Sequence, residues 1–279
     1  MPAEQIAASL AYINWTVLTG LAVGSFGAVV LGMLRTSATK GYLAFVAFTS
    51  AAFALLAWLS DGALPDPANA DLLASWDRSW LTPRSVALGL FALLALVNAL
   101  GIAWGARSRI VAAAGAGTGL FVLFAAAAAW GGSNLGTVLL FVQLAVLAAA
   151  TGGVWAAMIL GHWYLVTPKL PEAPLVLFAR VLTGVVAIQL VLFVLWVVTG
   201  AGPAGVGGLG VLTGTWALFV WLRLVVGIAF PLVVSWAAIQ TARTRSMESA
   251  TGLLYINVGT IAAGTILAAG LYFGAGLLV

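Results

Sequence analysis

LTGTWALFVWLRLVVGIAFPLVVSWAAIQTA, residues 212–242, decides the fold class. It is a continuous apolar run, longer than the roughly 20 residues a helix needs to cross a bilayer. Its single formal charge, Arg223, stands near the middle. A guanidinium does not give up its proton in a protein. At the centre of a spanning helix it costs about 2.5–3.5 kcal/mol on insertion scales, so a carbonyl, a water-filled cavity or a ligand must face it. The spans drawn below contain no Asp or Glu, and Arg223 is expected to lack an acidic partner.

Composition extends this reading to the whole chain. Only 6% of residues are charged, against about a quarter in a soluble domain, which excludes a soluble fold. The net charge of +4 is no nucleic-acid signature, because the basic residues fall in short turns rather than on one face. Cysteine is absent, which excludes disulfides, thiolate-held iron–sulfur clusters and thioether-attached haem. One histidine, His162, cannot supply a bis-histidine haem or a metal site by itself. No Walker loop, dinucleotide fingerprint, HExxH or aspartate-rich diphosphate motif occurs, and the chain is not expected to catalyse a reaction alone.

Apolar runs read against their breakers give eight spans, at 12–34, 41–60, 85–105, 110–130, 136–163, 174–199, 211–240 and 250–278. The odd turns carry Arg35, Lys40, Arg107, Arg109, Lys169, Arg243 and Arg245; the even turns carry only Arg78 and Arg84, beside four aspartates. Seven basic residues against two place the odd turns in the cytoplasm. The prediction is an all-α integral membrane bundle, a single transmembrane domain over 1–279, with both termini on the outer (periplasmic or extracellular) side. Trp15, Trp58, Trp130 and Trp196 fall at outer span ends and Trp104, Trp163 and Trp236 at inner ends, as interfacial belts would. Residues 61–84 form an outer loop, in which Asp66-Pro67 starts a helix and Leu72, Leu73, Trp76 and Trp80 make an apolar face for the membrane surface. Small-residue spacings at Gly20 and Gly24, Gly115 and Gly119, Gly210 and Gly214, and Gly270 and Gly274 predict close helix contacts.

The candidate binding residues lie on three spans. Thr151, Trp155, Met158 and His162 line one face of the fifth, with His162 a turn from the cytoplasmic end. It reads as an interfacial hydrogen-bonding residue, or as an axial haem ligand, a proton donor to a quinone or a pigment ligand. Arg180, two turns into the sixth span, either snorkels to the surface or joins His162 in an inner-leaflet pocket. Around Arg223, Gly227 leaves room beside the guanidinium and Pro231 frees a carbonyl one turn earlier. Gln143, Gln189, Asn98 and Asn257 are the neutral side chains available to satisfy it.

In layout the chain resembles the quinol-oxidising membrane anchors of molybdoenzyme reductases, which have about eight spans with both ends outside. The segment Arg78-Ser-Trp-Leu-Thr-Pro-Arg84 is similar to a loop after the second span in some of them, without their His-Leu-Gly-Arg-Pro-type run. With Arg223, the His162–Arg180 corner, the intraspan Trp155 and Trp221 and the outer helix, this layout leads to the expectation of a subunit of an electron-transfer assembly in a bacterial inner (plasma) membrane, holding a quinone or haem b and contacting lipid and other membrane or peripheral subunits. The alternatives are a small-solute or anion permease with Arg223 as its binding charge, and a non-catalytic structural subunit.

Overall fold

The computed structural model describes residues 2–65, 76–167, 169–202 and 208–279. Within them all regular structure is helical, and eight segments are long and apolar enough to cross a membrane. A short helix, α1 (Pro2–Ala8), leads into α2 (Leu10–Arg35) and α3 (Lys40–Asp61). A 3-10 turn at Arg78–Trp80 opens α4 (Leu81–Ala103), followed by α5 (Arg109–Trp130), α6 (Asn134–Val166) and α7 (Ala173–Thr199). The seventh span consists of α8 (Ala217–Leu224), a π-helical turn (Val225–Ala229) and α9 (Phe230–Arg243); α10 (Met247–Ala275) is the eighth.

Local chemistry sets the breaks between these apolar helices. Thr39, Ser108 and Ser133 cap α3, α5 and α6 by accepting the backbone N–H of Tyr42, Val111 and Gly136, each satisfying a donor the first turn leaves open. Helices α7 and α10 stop at Gly200 and Gly276, both left-handed, a conformation glycine adopts without a Cβ penalty. Because the spans alternate in direction, the connections that carry Arg35, Lys40, Arg107, Arg109, Lys169, Arg243 and Arg245 gather at one end of the bundle, here the basic end.

The spans form two rings with the same order of neighbours. In the first, α2 packs on α3, α3 on α4, α4 on α5 and α5 back on α2; in the second, α6 packs on α7, α7 on α9, α9 on α10 and α10 back on α6. The rings meet along α2 and α6. At that crossing a Cβ on Gly24 would collide with the Ala148 carbonyl, and one on Gly152 with the backbone of Gly24 and Ser25. Backbone therefore lies on backbone, the contact small residues permit inside a membrane.

Several expectations are corrected. The seventh span is helical only from Ala217, after a 3-10 turn at Leu209–Leu212. Gly210 and Gly214 consequently sit outside the helix, and no neighbouring helix presses on either. The fourth helix reaches back to Leu81 and so includes Arg84. Asp61, the last residue of α3, is buried, so the apolar bundle does enclose a carboxylate. Trp58, Trp104 and Trp236 are exposed as belt residues should be, but Trp15, Trp130 and Trp196 are core. A belt assignment assumes that an indole at a helix end meets lipid; these three meet other helices. Of the proposed surface helix, Asp66, Pro67, Leu72 and Leu73 lie outside the described residues, while Trp76 precedes the 3-10 turn and Trp80 closes it.

Candidate functional site

Two buried arginines occupy matching places in the two rings. Arg84 lies six residues after Arg78, where the third span begins, and Arg223 six residues after Ala217, where the seventh begins. Each reaches a polar side chain on the preceding span and the far end of the last helix of its own ring. Their surroundings differ in what they leave open.

Arg223 is 3% exposed and is held entirely from within. Its Nε donates to the Val279 carbonyl at 3.4 Å, Nη1 to the Gly227 carbonyl at 3.3 Å and Nη2 to Gln189 Oε1 at 3.2 Å. The Gly227 oxygen is available because Pro231, four residues on, has no N–H to offer it, and the helix relaxes there into the π-helical turn. Gly227 and Gly264 bring α10 against this turn, with Arg223 Nη1 beside both. Beyond Gly276 the chain folds back, burying Leu277, Leu278 and Val279. Of the four neutral candidates, Gln189 is the partner; Asn257 instead bonds Ser235 Oγ at 2.7 Å and the Pro231 carbonyl at 3.4 Å.

Arg84 is 1% exposed and is only partly satisfied. Its Nε donates to Asp61 Oδ1 at 2.8 Å. Three indoles surround the guanidinium, with ring centroids 4.7 Å (Trp130), 5.4 Å (Trp15) and 6.0 Å (Trp76) from Cζ. These are cation–π distances, strongest when the site is desolvated. Among the described residues Nη1 has no acceptor, nor has the N–H of Trp15, Trp76 or Trp130. Helix α4 explains why: Ala92 retains its N–H four residues after Leu88, so no proline frees the carbonyl that Arg223 finds in its own helix. Each buried donor left open costs about 1–3 kcal/mol. Among the described residues the corner therefore has donors in excess of the acceptors that Asp61 supplies.

This corner opens on a pocket of about 500 Å³ at the end opposite the basic one, lined by Asp61, Leu64, Trp76, Thr82, Arg84 and Ser85 among others. A short tether holds the lip: the Asp77 N–H donates to the Ala129 carbonyl at 3.0 Å. Asp77 Oδ1 accepts the Ser79 hydroxyl at 2.6 Å and its N–H at 2.9 Å. These bonds, the hydroxyl's first, hold the Asp77 carboxyl below its usual range. The arrangement can bind a polar group that brings acceptor oxygens to the open donors and a hydroxyl to Asp61.

The residues singled out on the fifth and sixth spans are spread apart. His162 and Arg180 are exposed on α6 and α7. Met158 is buried in the core. Trp155 is half-buried, donating from Nε1 to Thr49 Oγ1 at 3.2 Å with its ring edge-on to Phe53. Among the described residues no group of three His, Cys, Asp or Glu is placed to hold a metal ion. Sequence reasoning missed the Asp61–Arg84 corner because each residue lies one position outside a predicted span. The available signal was the presence of opposite charges at the two facing ends of one helical hairpin.

The fold is that of a polytopic α-helical membrane protein. No protein-family model matches the chain, and no curated protein matches it.

Proposed function

We propose that this protein is a membrane-embedded subunit of an electron-transfer assembly and binds a quinone-type ligand, with the ring seated in the Asp61–Arg84 pocket. One observation carries the reading: a buried guanidinium, paired with the Asp61 carboxylate, keeps an Nη1 without an acceptor among the described residues, in a corner that opens on the pocket. The open donors suit quinone carbonyl and ring oxygens, and the carboxylate suits the hydroxyl of the reduced form. Asp61 balances Arg84, and Arg78 also lines the pocket. With the basic end in the cytoplasm, the pocket faces outward from a plasma membrane, where a partner subunit would take the electrons.

This reading moves the ligand away from the His162–Arg180 corner, whose side chains are exposed, and from Arg223. The permease alternative is less well supported, since all three guanidinium nitrogens of Arg223 already have acceptors. A haem would rest on His162 alone.

The test is extraction of the purified protein with organic solvent, beside an absorption spectrum. The expected result is a bound quinone, lost in Arg84→Gln, without a Soret band. A quinone-free, colourless protein whose melting temperature responds to soluble anions would refute the proposal and favour transport.

A further inference from the structure

The same helical hairpin carries a second cavity. On the lipid-facing side of α3 and α4 runs an apolar trough of about 590 Å³, lined by Phe48, Ala52, Leu55, Trp58, Gly89 and Ala92 among others. Its walls continue those of the polar pocket. Along α3 and its cap the residues Gly62, Trp58, Leu55, Ala51 and Phe48 follow at helical spacing, and along α4 so do Thr82, Ser85, Gly89, Ala92 and Leu96. Residues three and four apart share a helix face. The polar pocket and the trough are therefore the upper and lower parts of one groove between the two helices. From Trp58 to Phe48 the trough is about 15 Å long, at 1.5 Å per residue, reaching from beneath the pocket toward mid-bilayer. Trp58 marks the junction, and a Cβ on Gly89 would stand 3.2 Å from its Nε1. Glycine there keeps the passage beside the indole open.

Resting on the proposed function, we infer that the trough takes the hydrocarbon tail of the molecule whose ring occupies the Asp61–Arg84 pocket. The ligand class is a long-tailed isoprenoid quinone that enters sideways from the bilayer. The shape of the groove selects this occupant: a donor-rich head site holding the Asp61–Arg84 pair lies directly above a trough with no charged lining residue. A soluble solute would leave the trough without a purpose. The tail matters as an exit rather than as a source of affinity, because hydrocarbon gains little on moving from lipid to an apolar wall. A ring with a long tail can seat only if the tail can leave along the trough.

The experiment measures binding of a multi-isoprene quinone and of its single-isoprene analogue to the purified protein in lipid nanodiscs. It compares wild type with Ala92→Phe and Ala52→Phe, two independent ways of filling the trough. The expected result is a loss of at least about tenfold in long-tailed affinity in both variants, with the short-tailed probe within about twofold of wild type. Unchanged long-tailed binding, or equal losses for both probes, would overturn the assignment of the trough; a groove holding only bilayer lipid gives the unchanged pattern. Failure of both probes to bind wild type would instead sink the head-group reading, as would full retention of both in Arg84→Gln.

Discussion

Arg84 Nε donates to Asp61 Oδ1 at 2.8 Å while its guanidinium lies 4.7 Å from the ring centre of Trp130, so one cation joins the ends of α3, α4 and α5. Removing one partner of a buried ion pair costs about 3–5 kcal/mol, mostly through the charge left behind, whereas replacing both with apolar residues of similar size is often neutral. Asp61→Asn and Arg84→Gln should each lower the melting temperature clearly in a detergent thermal-shift assay. The double variant Asp61→Leu/Arg84→Met should recover most of the loss yet hold no quinone. Quinone retention by that stable double variant would remove the pair from the binding site.

Arg223 should behave in the opposite way. Arg223→Leu leaves the Gln189 amide oxygen and the Gly227 and Val279 carbonyls without their donor. With about 1 kcal/mol or more for each buried polar group so orphaned, a destabilisation of roughly 2–4 kcal/mol is expected. Any folded Arg223→Gln protein should keep its quinone. Loss of quinone from such a protein, at normal thermal stability, would return the binding site to mid-bilayer.

The α2–α6 crossing predicts a sharp steric limit. A Cβ on Gly24 has no room against the Ala148 carbonyl, and forcing extra volume into a packed contact costs about 1–3 kcal/mol. Gly24→Ala should therefore reduce the monodisperse fraction in size-exclusion chromatography. Gly27→Ala, one turn further along α2, meets nothing within 4 Å and should leave that fraction unchanged. Equal behaviour of the two would mean the helices do not approach as closely as described.

The pocket lip should loosen in acid. The hydrogen bonds from Ser79 hold the Asp77 carboxyl below its ordinary value, which is about 3.9 for a free aspartate. A lowered folded value means that the contribution is complete above the unfolded value and disappears as pH falls through the folded one. Between pH 5 and pH 8 the tether should hold constant. Protease sensitivity of the 61–84 connection should rise only well below about pH 4, and Asp77→Asn should show that sensitivity at neutral pH. A wild-type transition near neutral pH would contradict this.

Much of the site's chemistry was visible in the chain but attached to the wrong depth. Arg223 was identified correctly as a buried cation, and both Gln189 and the carbonyl released by Pro231 were among its foreseen partners. Arg84 was read as a loop charge because hydropathy ends a span at the first charged residue, whereas the helix continues through it once Asp61 neutralises it. Trp15 and Trp130 were assigned to the lipid boundary for the same reason: a one-dimensional pattern records how near a helix end a residue lies, not what stands beside it.

Composition, apolar run length and the capping residues were enough to determine eight helical spans and the basic end, because a backbone in hydrocarbon must satisfy its own hydrogen bonds whatever its neighbours are. The pairing of Asp61 with Arg84, the enclosure of three tryptophans around it and the groove between α3 and α4 were decided by tertiary structure alone. Those features depend on which helix faces meet across the bundle, and side chains 8 to 69 residues from Arg84 come together there only after the rings have packed.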